Sequence, residues 1–357
     1  MRKLTQSLIA IIVACGVLSF SIYKLNHAEG YTGSNTLHVY NWGDYIDPDV
    51  VKAFEKKTGI KVILETFDSN EAMLTKIKQG GTTYDITVPS EYMLEKMKDE
   101  KLLIPLDKEK LPNLKYLDKR FLDKPFDPGN TYSFPYFWGT VGIAYNKKML
   151  PGRTFDSWHD LWAPDLKDQV LLTDGARETI GMGLNVLGYS LNDTDPKHLE
   201  EARNRLDSLW PNVKAIVGDE NRLLLANNEA PVAMCWSGVA GEIMADNPDI
   251  DYVVPKEGSN LWFDNMVIPK TAKNLDGAYA FLNFLLDPKI AAQNTEFVAY
   301  STPNKAAMKY LPKEMAEDER FYPPAEMTKR LEVYRDLGKE KLALYNEMFL
   351  QFKMARK

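Results

Sequence analysis

TLHVYNWGDYIDPDVVKAFEKKTGIKVILETFDSNEAMLTKIKQGGTTYDITVPSEY, residues 36–92, is the stretch that decides the fold class. Thr36 to Tyr40 is β-prone and runs into the loop Asn41-Trp42-Gly43-Asp44-Tyr45. Asp47 before Pro48 reads as an N-cap and first helical residue, Val51 and Phe54 supply apolar positions, and Gly59 supplies the stop. Lys61 to Phe67 reads as a second strand, and Asp68 or Ser69 caps the helix after it. Tyr84 to Val88 reads as a third strand that runs into a helix opening at Pro89-Ser90-Glu91-Tyr92. Strand, helix, strand, helix, strand in short order is the pattern of a parallel sheet covered by helices. Ligands of such sheets bind at the carboxyl ends of the strands. That rule selects Trp42 to Tyr45, Asp68 to Glu71 and Ser90 to Tyr92 as candidate site residues.

Outward from this stretch, residues 107–130 are rich in Pro, Lys and Asp and read as irregular surface, and Tyr132 to Tyr145 reads as a strand passing between two lobes. A second α/β series follows. Gln169 to Thr173 is a predicted strand, Asp174 to Glu178 a loop, and Thr179 to Leu187 a helix. Pro196 to Leu209 reads as a charged amphipathic helix, and Val213 to Val217, Val232 to Cys235 and Tyr252 to Val254 as strands. Trp236-Ser237-Gly238 stands at a helix start. Trp262-Phe263-Asp264 reads as a loop before a strand at Met266 to Pro269. Asn274 to Leu286 is a strongly periodic helix, and the tail from Glu326 onward is predicted to be mostly helical.

The chain has 357 residues, which suits two domains better than one core. Its net charge of -6 argues against a partner with a phosphate backbone, so no nucleic acid is expected. There are 2 Cys, Cys15 and Cys235, which excludes a disulfide framework. A basic start, Met1-Arg2-Lys3, followed by an apolar run from Leu8 to Tyr23, reads as a secretory segment. Ile12-Val13-Ala14-Cys15 resembles a lipoprotein cleavage site, which would make Cys15 a lipidated, membrane-held N-terminus. The competing reading is an ordinary signal or uncleaved anchor with Cys15 as a small apolar residue. Either places the bulk of the chain outside the cytoplasm. His27 to Asn35 reads as a tether.

The strand-end residues Trp42, Tyr45, Ser90, Tyr92, Glu178, Trp236, Trp262 and Asp264 are mostly aromatic with a few carboxylates, and Arg177 is the one cation beside them. Aromatic faces attract ammonium groups and cover methylene stems. Carboxylates offer charge-assisted hydrogen bonds. The set therefore suits a long, flexible cation. Taken singly, each aromatic is as compatible with core packing, and Ser90, Asp174 and Glu178 with helix capping or the helix dipole; the weight lies in their shared kind of position. Catalysis fits poorly. The 4 His, at 27, 38, 159 and 198, lie beside no Ser or Cys nucleophile, and no G-x-S-x-G, HExxH or P-loop is present. Metal-ligand spacing is also lacking, and neither metal nor cofactor is expected.

Tyr40-Asn41-Trp42-Gly43-Asp44-Tyr45, Lys56 to Val62, Asp68 to Glu71, Tyr84 to Ser90, Lys124 to Pro128, Pro135 to Gly139, Ala176-Arg177-Glu178, Trp262-Phe263-Asp264 and Tyr300 to Asn304, in this order, resemble the PotD family, the spermidine/putrescine-binding subunits of polyamine ABC importers. The resemblance implies an α/β, type II periplasmic-binding-protein fold: two Rossmann-like lobes with a ligand cleft between them. It implies no enzyme activity, a polyamine as ligand, a permease and its ATPase as partners, and a monomer. The family's aromatic box falls on Trp42, Tyr45, Tyr92, Trp236, Trp262 and Tyr300, its carboxylates on Glu178 and Asp264, and its hydroxyl on Ser90. An enterobacterial member has an acid where this chain has Gly175, Asp174 just before it is a candidate ligand contact whose reach is left open, and the family's ligand-facing Gln falls on Tyr334. A same-fold binder of another small cation is the alternative. The expected division is 1–35 as anchor and tether, 36–140 with 264–308 as one lobe, and 141–263 with 309–357 as the other.

Overall fold

The computed structural model describes residues 35–218 and 220–355; the expected anchor segment with Cys15 lies outside the described residues. The opening series forms as read. β1 (Thr36–Trp42) pairs in parallel with β2 (Lys61–Phe67) along its whole length and with the short β3 (Ile86–Thr87). Between them lie α1 (Pro48–Thr58) and α2 (Asn70–Gln79), and after β3 comes α3 (Glu91–Asp99). The local chemistry is visible at each end. Asp47 accepts from the Asp49 N–H at 2.8 Å, and Gly59 closes α1 with a φ of 73°. Ser69, not Asp68, caps α2 through the Ala72 N–H.

β4 (Ser133–Asn146) is 14 residues long and buried throughout, which explains its nearly continuous apolar sequence. Its first half pairs with β9 and its second with β7 and β8. It is started by Asp127, a buried carboxylate that accepts from the Ser133 N–H at 2.9 Å and Ser133 Oγ at 2.8 Å. Residues 107–130 are therefore not only surface: Phe121 and Phe126 are buried with Asp127, and the segment turns through short 3₁₀ helices.

The second series comprises β5 (Val170–Thr173), α4 (Ala176–Val186), α5 (Pro196–Asp207), β6 (Val213–Val217), α6 (Glu220–Ala226), β7 (Val232–Trp236), α7 (Ser237–Asp246) and β8 (Ile250–Val253). β5 runs parallel to both β6 and β7. β9 (Leu261–Val267) then returns to the first series, followed by α8 (Leu275–Leu285), α9 (Pro288–Val298) and, after further short turns, α10 (Gly338–Met354). The strand order is β2-β1-β3-β9-β4-β7-β5-β6, with β8 on β4.

Two expectations are corrected. α4 begins at Ala176, not Thr179, so Glu178 sits in its first turn. Trp262, Phe263 and Asp264 are strand residues, because Phe137 to Gly139 of β4 pairs with them. The tail is mostly helical as expected, with a non-helical break at 331–337, where Glu332 exchanges backbone hydrogen bonds with Ser259 and Leu261 at 2.9 and 2.8 Å.

The buried side chains fall into separate sets, with the partly buried Trp262 packed against one on each side. Residues 37–138 and 261–298 supply the core around Phe54, Phe134 and Phe281 and the adjoining one around Trp138 and Phe263. Residues 141–254 and 345–352 supply the cores around Trp158, Val170 and Tyr345 and around Leu171 and Tyr252. Apolar burial, at about 25 cal/mol per Å², is the main favourable term on each side.

Candidate functional site

A cleft of about 570 Å³ opens where the carboxyl ends of β1, β2 and β3 face those of β5 and β7, with one face of β9 as its floor. Trp42 stands at the end of β1, where its indole N–H donates to the Val88 carbonyl at 2.9 Å. Tyr45 follows in the loop. Ser90 and Tyr92 come from the start of α3, Trp236 from the end of β7, Tyr300 from just beyond α9, and Tyr334 from the extended 331–337 segment. Strand alternation puts Trp262 and Asp264, two apart, on the cleft face of β9, while Phe263 points the other way into the core with Phe121 and Phe126.

Asp264 is the best-held charge in the cleft. It is 8% exposed, Tyr45 donates its hydroxyl to one carboxylate oxygen at 2.7 Å, and Ser90 donates to the other at 2.7 Å. Burial lifts its pKa to about 6, and the two hydroxyls oppose that rise. It is thus ionised at neutral pH, fixed in orientation and shielded from water. Asn70 supports this clasp: its amide donates to Ser90 Oγ at 3.1 Å and Tyr92 Oη at 3.0 Å, and its carbonyl accepts from the Ser90 N–H at 3.1 Å.

Glu178 lines the opposite wall from the first turn of α4. Burial raises its pKa, and neighbouring Arg177 opposes the rise. Its carboxylate lies where a side chain at 175 would be: a Cβ there would come within 2.1 Å of Glu178 Oε2. The aromatic wall needs a second such gap. A Cβ at Gly238 would fall 1.7 Å from the Tyr300 ring. That ring meets Trp262 edge-on at 5.1 Å and Tyr45 at 5.6 Å between centroids. Tyr334 is buried beneath the Arg177 guanidinium, 4.3 Å from it. Its segment is anchored by Arg335, which grips Glu95 of α3 with Nη2–Oε1 at 2.6 Å.

The aromatic box and the residues matched to the family's ligand contacts therefore line one cleft, whereas Ser69 and Glu71 of the selected loop, and Asp174, do not. Asp174 is exposed and holds Lys353 of α10 at 2.8 Å, outside the cleft. Asp174→Ala is expected to change ligand affinity by less than about twofold, since exposed ion pairs contribute at most roughly 1 kcal/mol to stability; titration calorimetry checks this. Asn70, Glu91 and Asn260 also line the cleft; the first two fall in stretches selected by strand ends but were given no role there, and Asn260 was missed. Glu91 stood between two selected residues, and Asn70 within a selected loop; Asn260 had no signal.

Asp44, Asp68, Glu91, Glu178 and Asp264 line the cleft with the aromatics, and no Lys or Arg does so among the described residues. The arrangement binds cations by charge and ring face. Cys235 is buried and its thiol is pushed up to about 12, so it is no nucleophile. Among the described residues no group of His, Cys, Asp and Glu is placed to hold a metal ion.

Comparison with known proteins agrees with this architecture. The spermidine/putrescine-binding periplasmic protein of Escherichia coli K12 is 42% identical over 346 residues, 97% of this chain and 98% of that one. A solved structure from Listeria monocytogenes is 63% identical with a TM-score of 0.84, covering 90% of this chain and 100% of that one. The substrate-binding protein PotD of a spermidine/putrescine ABC transporter from Streptococcus pneumoniae, solved with calcium and HEPES, is 54% identical with a TM-score of 0.86 over the same shares. The model describing bacterial extracellular solute-binding proteins matches residues 49–323, and with the cleft, the strand order and these relatives it establishes that the chain belongs to that family.

Proposed function

We propose that the cleft captures a polyamine of the spermidine/putrescine class outside the cytoplasm and delivers it to the permease of an ABC importer. The observation that carries this reading is Asp264, a buried carboxylate clasped by Tyr45 and Ser90 inside an aromatic cleft lined by no cation. An ammonium end would bind there by charge-assisted hydrogen bonds. Trp42, Trp236, Trp262, Tyr92 and Tyr300 would cover the methylene stem, and Glu178 would face the other end. The names of the curated relatives support the same class of ligand.

The lobe division 36–140 with 264–308 and 141–263 with 309–357 is supported near residue 140 by the separate buried cores, while Leu261 and Phe263 in the first core favour a second crossing ahead of β9. A hinge between the lobes would close the cleft on its ligand. Cys15 is the proposed lipid attachment site, on the strength of Ile12-Val13-Ala14-Cys15. Isothermal titration of the full chain with putrescine, spermidine and spermine tests the reading. One-to-one binding of at least one is expected; a folded sample that binds none overturns it and turns attention to other small cations.

A further inference from the structure

One acid in the cleft wall has a carboxylate oxygen without a partner. Glu91, the first residue of α3, is 1% exposed and lines the same cleft as Asp264. Its Oε2 accepts the Phe263 N–H at 2.9 Å. Its Oε1 is equally shielded and meets no donor among the described residues. A buried polar atom in that condition is uncommon in folded proteins and calls for a partner from elsewhere.

The charged and titratable groups around it do not supply one. Asp264 on β9 repels it and is itself held by Tyr45 and Ser90. Arg177 on α4 attracts it, but its two terminal nitrogens are engaged, with Asn192 Oδ1 at 2.8 Å and the Arg335 carbonyl at 3.2 Å, the plane stacks on Tyr334, and Nε, itself buried without a partner among the described residues, makes no hydrogen bond to Glu91. Tyr92 beside it and Tyr334 from the 331–337 segment, the latter also facing Glu178, complete the surroundings; a charge on Glu91 disfavours ionisation of either phenol. Glu91 lines the same cleft as Asp264 and Glu178, the two carboxylates already assigned to the ligand.

We propose that Glu91 is a further ligand contact of this cleft, one that exchanges its own proton for an ammonium group of the bound cation. The inference rests on the polyamine reading above. In the empty cleft, burial lifts the Glu91 pKa to about 8; the Phe263 N–H opposes this and the charge of Asp264 adds to it. The group therefore waits as a neutral acid. An ammonium brought to Oε1 reverses the preference. The O–H bond breaks with its electron pair left on oxygen, the proton leaves to solvent, and an N–H···O⁻ bond takes its place. The cleft thereby holds this further negative charge only while a cation neutralises it.

Two readouts separate this from a purely structural acid. Between pH 6.8 and 7.8 Asp264 is already ionised, and the primary amines of putrescine and the terminal ones of spermidine, like a lysine side chain, stay charged. Titration of the full chain with each ligand, in buffers of contrasting ionisation enthalpy, then counts the protons released. Near pH 7, wild type is expected to release close to one proton per ligand, and its affinity to rise by up to about tenfold per pH unit. Glu91→Gln keeps an acceptor for the Phe263 N–H; it is expected to release none, to show a flat affinity profile, and to bind more weakly at pH 7.8. If wild type binds but releases no proton in this window, or if Glu91→Gln matches it in proton count and affinity, the inference is overturned while the polyamine reading stands. If wild type binds neither ligand, the polyamine reading fails and this inference with it. The wild-type proton count decides the matter even if the variant does not fold.

Discussion

Asp264→Asn lowers polyamine affinity by about two orders of magnitude or more, while the empty chain becomes no less stable. Removing one member of a buried, hydrogen-bonded charge pair costs roughly 2 to 5 kcal/mol of binding, and each 1.4 kcal/mol is about tenfold. The fold has little to lose. Tyr45 and Ser90 both carry hydroxyls that can turn to accept from the new amide. The folded-state pKa of Asp264, about 6, stands above the ordinary value near 3.9. Between those pH values the folded chain holds the extra proton, so the stability lost to this group grows as pH rises and reaches about 3 kcal/mol at pH 7. Calorimetric melting of the empty proteins is therefore expected to show the variant at or above wild type at pH 7. The difference should vanish as pH falls toward about 4. A variant that melts well below wild type at pH 7 would mean that the carboxylate organises the site as well as charging it.

Trp262→Ala is the second large effect, and it should look different. The indole packs against both the core around Phe134 and the core around Val170, and opposite it in β4 is Gly139. A Cβ at 139 would lie 2.4 Å from its ring, so the strand pair is built around this side chain. Loss of the ring removes a cation–π contact worth about 2 kcal/mol when desolvated and the apolar cover of the ligand's stem. Together these should weaken binding roughly 30- to 150-fold. Stability should fall too, by up to about 3 kcal/mol for a mostly buried Trp. Titration across salt concentrations distinguishes the two variants. Trp262→Ala keeps the wild-type salt dependence because the carboxylates remain, whereas Asp264→Asn flattens it. Trp262→Phe should recover part of the affinity but none of the change in salt slope, because neither variant has one.

The β-α-β opening was legible because its signals are local. Asp47, Pro48, Gly59 and Ser69 each act within a few residues of where they stand, and β1 and β2 came out with the expected bounds or nearly so. The candidate site was legible for a related reason, since a parallel sheet collects its ligand residues at strand ends, wherever the rest of the chain goes. What could not be read depends on distant partners. Trp262 to Asp264 is strand only because Phe137 to Gly139 lies beside it, more than a hundred residues earlier. The 331–337 segment gives up helix for backbone bonds to 259–261. Asp174 looks like a cleft carboxylate until the last helix brings Lys353 to it. Glu91 looks like an ordinary first-turn acid until the Phe263 N–H and the burial around it are known.

The gap at Gly175 has a consequence for how this pocket can change over time. Because a Cβ there would stand 2.1 Å from Glu178 Oε2, any other residue at 175 and the present Glu178 conformer exclude each other. An acid at 175, as in the enterobacterial pattern, is therefore not an added charge but a rearranged one: the new carboxylate arrives only as the old one swings aside. The two positions are coupled in descent, and the value of a change at one depends on what already stands at the other. Lineages that drift toward a different polyamine preference through this corner of the wall can keep Glu178 and re-aim it, since the atom in the way is the free end of a flexible side chain.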